Sequence, residues 1–315
     1  MSYIVEIEDL TKDYETGFLK KKRVRALDGL SLRVHDGQIF GFLGGNGAGK
    51  TTTIKILMSL LFPTSGSAKI LGRDISDVSM RRAIGYCPEN PYFYDYLTAR
   101  ELMDYFGRLF GFSKSIRDSK TAELLTMVGL EEKSWNKQLR KFSKGMLQRV
   151  GLAQSLINDP EIVFLDEPMS GLDPIGRREV RELISRLRDR GMTVFMSTHI
   201  LSDIEALCDE VAILKHGKLA ETGKLSDLLS RGAGVRGFEI SFTGIGEDVL
   251  RHSLASLDGK LNYAAKASGV IVVVPGEDEI DMVLKAARSA GGKLISLEPV
   301  KQSLEELFAD NTPVT

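Results

Sequence analysis

The chain predicts an α/β fold centred on a parallel sheet, with an antiparallel β subdomain at its N-terminus, a helical subdomain and a small C-terminal α+β domain. Three observations carry this. Glu161–Asp166, Thr193–Ser197 and Glu210–Leu214 are nearly unbroken apolar runs, the pattern of strands covered by helices on both faces. A glycine-rich loop, GGNGAGKT, lies between a strand-like and a helix-like segment. Beyond residue 232 the texture changes to short strand and helix patterns.

The first elements are the alternating runs Ile4, Val5, Ile7 and Leu30, Leu32, Val34, separated by charged and turn-forming residues, which read as paired antiparallel strands. Gln38–Leu43 reads as a strand. Thr52–Leu61 reads as a helix, because Ile54, Leu57, Met58 and Leu61 fall at i, i+3, i+4 and i+7. A short strand pair follows, Ala68–Leu71 with Ala83–Cys87. From Thr98 to Ile157 the period is helical, with stripes at Leu102, Phe106, Leu109, Phe110, then Leu124, Leu125, Val128, then Val150, Ala153, Ile157. These fall within a helical subdomain at about 90–158. After Glu161–Asp166 comes a helix whose boundaries are well marked. Asp173 caps it, Pro174 suits its first turn, Val180, Leu183, Ile184 and Leu187 form its buried face, and Gly191 ends it.

A chain of 315 residues accommodates two domains, here 1–231 and 232–315, with RGAGVRG as the linker. The second reads as strand Phe238–Phe242, helix Asp248–Leu257, strands Lys260–Ala265 and Val270–Val274, helix Ile280–Ala290 and strand Lys293–Leu297. That order, βαββαβ, is the ferredoxin-like pattern.

Composition narrows the class. A net charge of −1 with 27% charged residues gives no global attraction to nucleic acid. The isolated basic run Lys20–Arg25 has no aromatic ladder beside it and reads as a solvated hairpin. Two cysteines, Cys87 and Cys208, stand far apart, so neither a disulfide framework nor a zinc site is expected, and a reducing cytoplasm fits. The N-terminus lacks the basic start and apolar core of a signal peptide. A membrane span needs about 20 apolar residues, whereas the densest run, Ile56–Phe62, is broken by Ser59 and stopped by Pro63. Any membrane crossing would belong to another subunit.

The loop Gly44, Gly45, Asn46, Gly47, Ala48, Gly49, Lys50, Thr51 satisfies G-x-x-x-x-G-K-[ST] between a strand and a helix. This is the P-loop NTPase arrangement: glycines let backbone N–H groups converge on phosphate, and the helix dipole adds positive potential. Lys50 should reach the β- and γ-phosphates, and Thr51 should place its hydroxyl on Mg²⁺. Thr52 follows as part of the same nucleotide contact. The strand IVFLDE supplies Asp166 for Mg²⁺ and, next to it, Glu167 as the group that orients or deprotonates the attacking water.

FSKGMLQRV, 142–150, poses a separate question. Ser143 immediately before a helical period is an N-cap, but a Ser-Lys-Gly step there can also serve a ligand. Taken in order, the glycine loop, GYCPE, FSKGMLQRV, IVFLDEP, SGLDP and STH resemble the motifs of the ATP-binding cassette (ABC) ATPases over about residues 3–225. Within that family the chain resembles bacterial single-cassette subunits that drive separate membrane subunits, often exporters.

The resemblance implies Mg²⁺-dependent ATP hydrolysis by a dimer in which each signature loop covers the γ-phosphate of ATP held by the other copy. Ser143 and Gly145 would then act across the interface, with Asp173 in the D-loop and His199 contacting the γ-phosphate and the water. Glu89 stands where the family usually has glutamine, as a nucleotide and Mg²⁺ contact. The signature departs from the commonest pattern, Leu-Ser-Gly-Gly-Gln, with Phe142, Lys144 and Met146 at its first, third and fifth positions, and Gly45 replaces a frequent proline. Tyr14 either stacks on adenine or simply packs at its strand end. The implied partners are ATP, a second copy of the chain and an integral membrane permease that holds the subunit at the inner face of the cell membrane; the aromatic stretch Asn90–Tyr96 would line the permease groove or fill a core. The rival, a soluble cassette ATPase acting on nucleic acid or ribosomes, usually carries two cassettes or long coiled coils, and this chain has neither. A regulatory module without turnover is opposed by Glu167 and His199. The C-terminal domain, without catalytic residues, is expected to regulate or to stabilise the dimer.

Overall fold

Apolar strands need both faces covered, and the central sheet provides this. In the computed structural model, which describes residues 2–16, 22–231, 237–254, 261–266 and 269–299, the chain divides into two compact units, Met1–Leu225 and Ser226–Thr315. The first opens with β1 (Tyr3–Thr16) and β2 (Lys22–His35), followed by β3 (Ile39–Leu43), α1 (Lys50–Leu57), β4 (Ser65–Ile70), β5 (Arg73–Asp74) and β6 (Ile84–Cys87). It continues through α2 (Ala99–Leu109), α3 (Lys114–Met127), α4 (Lys144–Ser155), β7 (Ile162–Asp166), α5 (Pro174–Asp189), β8 (Thr193–Thr198), α6 (Leu201–Leu207), β9 (Glu210–Lys215) and β10 (Lys218–Lys224).

The central sheet runs β10-β9-β3-β8-β7-β6. Every pair is parallel except β9 with β10. All residues of β3, β7 and β8 are buried, which is why their sequences do not alternate. Phe195 lies at the middle of this layer, with ring centroids 5.4 Å from Phe40, 5.4 Å from Phe42 and 5.3 Å from Phe164. Packing of such rings is worth about 3–5 kcal/mol per Phe-to-Ala truncation. Gly41 in β3 is required by α6: a Cβ there would stand 2.5 Å from Ile204 Cδ1.

The N-terminal β subdomain is the antiparallel sheet β2-β1-β4-β5. On its β2 edge Arg23 and Arg25 hold Asp13 at 2.5 and 2.9 Å, so that part of the basic run is neutralised locally; Lys20 and Lys21 lie outside the described residues.

Two expectations are corrected. Helix α1 starts at Lys50 and stops at Leu57, not Leu61, because Ser59 turns left-handed at φ 53° and Leu60 N–H closes back on Lys55 O at 2.8 Å. The strands expected as a pair belong to different sheets: β4 aligns with β1 (Val5 opposite Ile70), and β6 lies parallel to β7 (Cys87 opposite Leu165). Strand β10 and the short helix α6 were not foreseen.

The helical subdomain is α2, α3 and α4. Thr98 and Glu101 form a reciprocal cap on α2, and the single tryptophan, Trp135, is buried with its indole N–H on Leu130 O at 2.8 Å. Helix α5 begins on its Asp173 cap with Pro174 in its first turn, and Val180, Leu183, Ile184 and Leu187 are buried.

The second unit contains α7 (Leu225–Arg231, from its second residue), β11 (Phe238–Thr243), α8 (Glu247–Ser253), β12 (Asn262–Lys266), β13 (Gly269–Val274), α9 (Glu277–Ser289) and β14 (Lys293–Pro299). Its sheet runs β12-β13-β11-β14, antiparallel throughout, as the ferredoxin-like pattern requires. Ile240, Phe242, Val270, Val272, Leu250 and Val283 form its core. The central residues of the expected linker, 232–236, the end of the helix expected to reach Leu257 and the strand start expected at Lys260 lie outside the described residues. Among the described residues no helix is long and apolar enough to cross a membrane.

Candidate functional site

The glycine loop leaves β3 and enters α1 at the carboxyl edge of the parallel sheet, where β3, β7 and β8 all end. Gly49 adopts φ 111°, and a Cβ at that position would stand 2.6 Å from Ala26 O, so only glycine gives the turn its close approach. A cleft of about 380 Å³ opens above the loop, lined by Gly45, Asn46, Gly47, Ala48, Gly49, Lys50, Thr51 and Thr52, and also by Glu89, Glu167, His199 and Ala26. A glycine-rich loop that runs into a helix N-terminus is an arrangement that favours an anion.

Lys50 is 7% exposed. Its ammonium donates to Gly44 O at 2.6 Å and to Gly45 O at 3.4 Å, and stands 3.4 Å from Glu167 Oε1. Glu167 follows β7 in the left-handed region at φ 49°, a conformation costing on the order of 1 kcal/mol or more for a non-glycine residue. Ser197 holds it there: the Glu167 N–H meets Ser197 O at 3.1 Å and Ser197 Oγ at 3.2 Å. The turn directs the carboxylate into the cleft, where Oε1 lies 2.9 Å from His199 Nδ1. His199 is half-exposed and leaves Nε2 for another partner.

Asp166 is buried behind this pair. Its Oδ1 accepts from Ser197 Oγ at 2.5 Å, leaving Oδ2. Thr51 and Glu89 line the cleft and Asp166 does not; all three carry oxygen donors, the chemistry that suits a hard cation such as Mg²⁺. Among the described residues no cluster of three His, Cys, Asp or Glu side chains could hold a metal by itself; Mg²⁺ is commonly held by one or two carboxylates plus substrate phosphates. Cys87 takes no part: burial, with Asp166 nearby, pushes its thiol up to about 12, so it stays protonated.

Other predicted site residues lie outside the cleft lining. Gly44 serves through its carbonyl, which accepts from Lys50. The Tyr14 hydroxyl is 3.4 Å from Thr52 Oγ1, with the Lys12 ammonium 5.4 Å from its ring centre. Ser143 is exposed at the start of α4 and accepts from Met146 N–H at 3.3 Å; Asp173, exposed at the start of α5, accepts from Gly176 N–H at 2.6 Å. Gly145 lies in the first turn of α4.

Sequence reasoning missed Ala26 and Gly217. The Gly217 N–H donates to Ala48 O at 2.9 Å, while its carbonyl accepts from Asp28 N–H at 2.9 Å, so the β9–β10 turn braces the phosphate loop against β2. Only the glycine after His216 in a strand–turn–strand pattern hinted at it.

The family model described as ABC transporter matches residues 27–170. An uncharacterised ABC transporter ATP-binding protein of Synechocystis is 43% identical over 307 residues, covering 97% of this chain and 83% of the relative. The bacitracin transport ATP-binding protein BcrA of Bacillus licheniformis is 42% identical, covering 76% of each chain. The dimeric post-hydrolysis structure of the ATP-binding cassette MJ0796, bound to ADP and phosphate, is similar with a TM-score of 0.65 at 27% identity, over 70% of this chain and 98% of that one.

Proposed function

We propose, from the premise that this chain belongs to the ABC transporter ATP-binding proteins and is an ATPase subunit, that two copies sandwich two ATP molecules and drive a separate membrane permease as an exporter. The observation that carries the chemistry is the chain of contacts in one cleft, Lys50 to Glu167 to His199.

In this reading the loop Gly44–Thr51 and Thr52 cradle the phosphates, and the Lys50 ammonium neutralises charge on the β- and γ-phosphates. Glu167 takes the water proton as general base. His199 holds that carboxylate through Nδ1 and offers Nε2 to the γ-phosphate. Because Lys50 faces both phosphate and Glu167, phosphate binding and the state of the base are coupled through one cation. Thr51, Asp166 and Glu89 would hold Mg²⁺, which supplies charge neutralisation on the phosphates. Tyr14, beside Thr52, is the adenine contact. Ser143, Gly145 and Asp173 lie at helix starts and would complete the partner's site, where backbone N–H groups favour phosphate.

The dimer that closes on ATP and opens after hydrolysis moves the permease between states through its differential affinity for nucleotide. Export is favoured by the likeness to a bacitracin transport protein, and the permease would hold the subunit at the cytoplasmic face of the membrane. The residues after about 232 would regulate or stabilise the dimer, with 1–231 as the nucleotide-binding part. The test is Mg²⁺-dependent ATPase activity of the purified chain, abolished by Lys50→Ala, together with isolation from native membranes. Absence of a polytopic protein from that preparation would contradict the transporter role, and activity in Lys50→Ala would contradict the site.

A further inference from the structure

Ser143 and Asp173 cap different helices, α4 and α5, yet the structure brings the two helix starts together. A Cβ placed on Gly145 would stand 3.3 Å from Leu172 Cδ2, and the Lys144 ammonium lies 2.6 Å from the position a Cβ of Gly171 would take. Six residues into each helix, counting from its cap, Arg149 of α4 is paired with Glu179 of α5. At about 1.5 Å of rise per residue the pair lies about 9 Å from both caps, so it fastens the two helices at matching heights.

Arg149 is also anchored from behind. The same guanidinium donates to Val128 O at 3.0 Å and Gly129 O at 3.4 Å, the carbonyls of the α3 C-cap and of the residue that follows it. Helix α5 is fixed independently on another face: Arg177 and Arg181 hold the buried Asp203 of α6 at 2.8 and 2.5 Å. Arg149 is thus mostly covered, with 19% of its side chain exposed, and Glu179 is the accessible half of the clamp, with 48% exposed.

We propose that the Arg149–Glu179 pair is a positioning device for Ser143: it sets the signature helix against α5 so that the hydroxyl meets the phosphate bound by the other subunit. The inference rests on the cross-subunit role of Ser143 given above. Neither residue lines the nucleotide cleft. Loss of the clamp lets α4 pivot about its α3 contacts, and displacement of an orienting group by about 1 Å can cost on the order of a hundredfold in rate; a half-exposed pair backed by other contacts should cost less.

The test uses mixed dimers of the full chain, purified through two different tags and assayed with the permease partner, in which one chain carries Lys50→Ala. The single intact site then joins the normal chain's Lys50 to the Lys50→Ala chain's Ser143. Glu179→Ala on the Lys50→Ala chain should lower turnover about fivefold or more, with KM for ATP shifted less than about twofold. The same substitution on the other chain should leave turnover unchanged, which also shows that the variant folds and assembles. An equal fall in both placements, or no fall in either, overturns the clamp. Ser143→Arg placed in the same two ways is the control. If it shows no difference between placements, the cross-subunit reading itself fails and the clamp with it; if it shows the difference and Glu179→Ala does not, the clamp alone fails.

Discussion

The Nδ1 atom of His199 stands 2.9 Å from Oε1 of Glu167, and that same oxygen is 3.4 Å from the Lys50 ammonium. One carboxylate oxygen therefore links the lysine of the glycine loop to the histidine that follows β8. The left-handed backbone at Glu167 makes the meeting possible, since the carboxylate turns away from the strand direction of Asp166.

Glu167→Gln follows directly. The amide keeps the shape and can still accept a hydrogen bond, but it cannot take a proton from water. Turnover should fall by about 10²- to 10⁴-fold, the usual worth of a general base, while ATP binding is retained. Steady-state ATPase and equilibrium nucleotide binding measured on the same preparation check this; parallel loss of binding would reduce Glu167 to a structural partner of Lys50.

Asp104 provides a pH-dependent marker for the helical subdomain. Its hydrogen bond from Arg117, then Arg108, holds its carboxyl below the usual carboxylate range, with 28% of the side chain exposed. Because the folded pKa lies below the unfolded value of about 3.9, the contribution is complete above that value and is lost as pH falls through the folded pKa. Asp104→Asn should cost about 1 kcal/mol near neutrality, and the difference from the parent should shrink below about pH 4. Urea unfolding followed by Trp135, the only tryptophan, reads this subdomain. A difference independent of pH would rule out the charge as its cause.

The aromatic stretch after Glu89 is unevenly exposed. Tyr92 is 96% exposed, and Tyr94 and Tyr96 are 57% and 60% exposed, whereas Phe93 is half-buried; Tyr92 and Phe93 both line a cleft of about 330 Å³ with Phe106 and Phe110. Tyr92→Ala should change stability by less than about 0.5 kcal/mol and spare ATPase activity of the isolated chain, while lowering permease-coupled transport. Equal loss of both activities would assign the stretch to the fold alone.

Much of this was legible because the signals are local. The glycine loop, the Asp173 cap with Pro174, and the apolar runs of β7 and β8 each depend on a few consecutive residues. Sheet membership does not: Ala68–Leu71 and Ala83–Cys87 look alike as short strand-like runs, and only the pairing of β4 with β1 and of β6 with β7, distant in sequence, assigns them to different sheets. The end of α1 was hidden because Leu61 keeps the helical period after Ser59 has left the helix. Ala26 and Gly217 were invisible as site residues since their role is backbone contact with the phosphate loop. The pairing of Arg149 with Glu179 likewise depends on how two helices lie side by side.

The most direct measurement mixes Lys50→Ala with Ser143→Arg chains and records Mg²⁺-dependent ATPase activity of each variant alone and of the purified heterodimer, with the permease present. Each homodimer has two defective sites if Lys50 of one subunit works with Ser143 of the other. In the heterodimer one site carries both defects and the other carries neither, so activity should return to about half that of the parent if the sites turn over independently. Heterodimers that stay as inactive as both homodimers would contradict the shared site and return Ser143 to a helix cap.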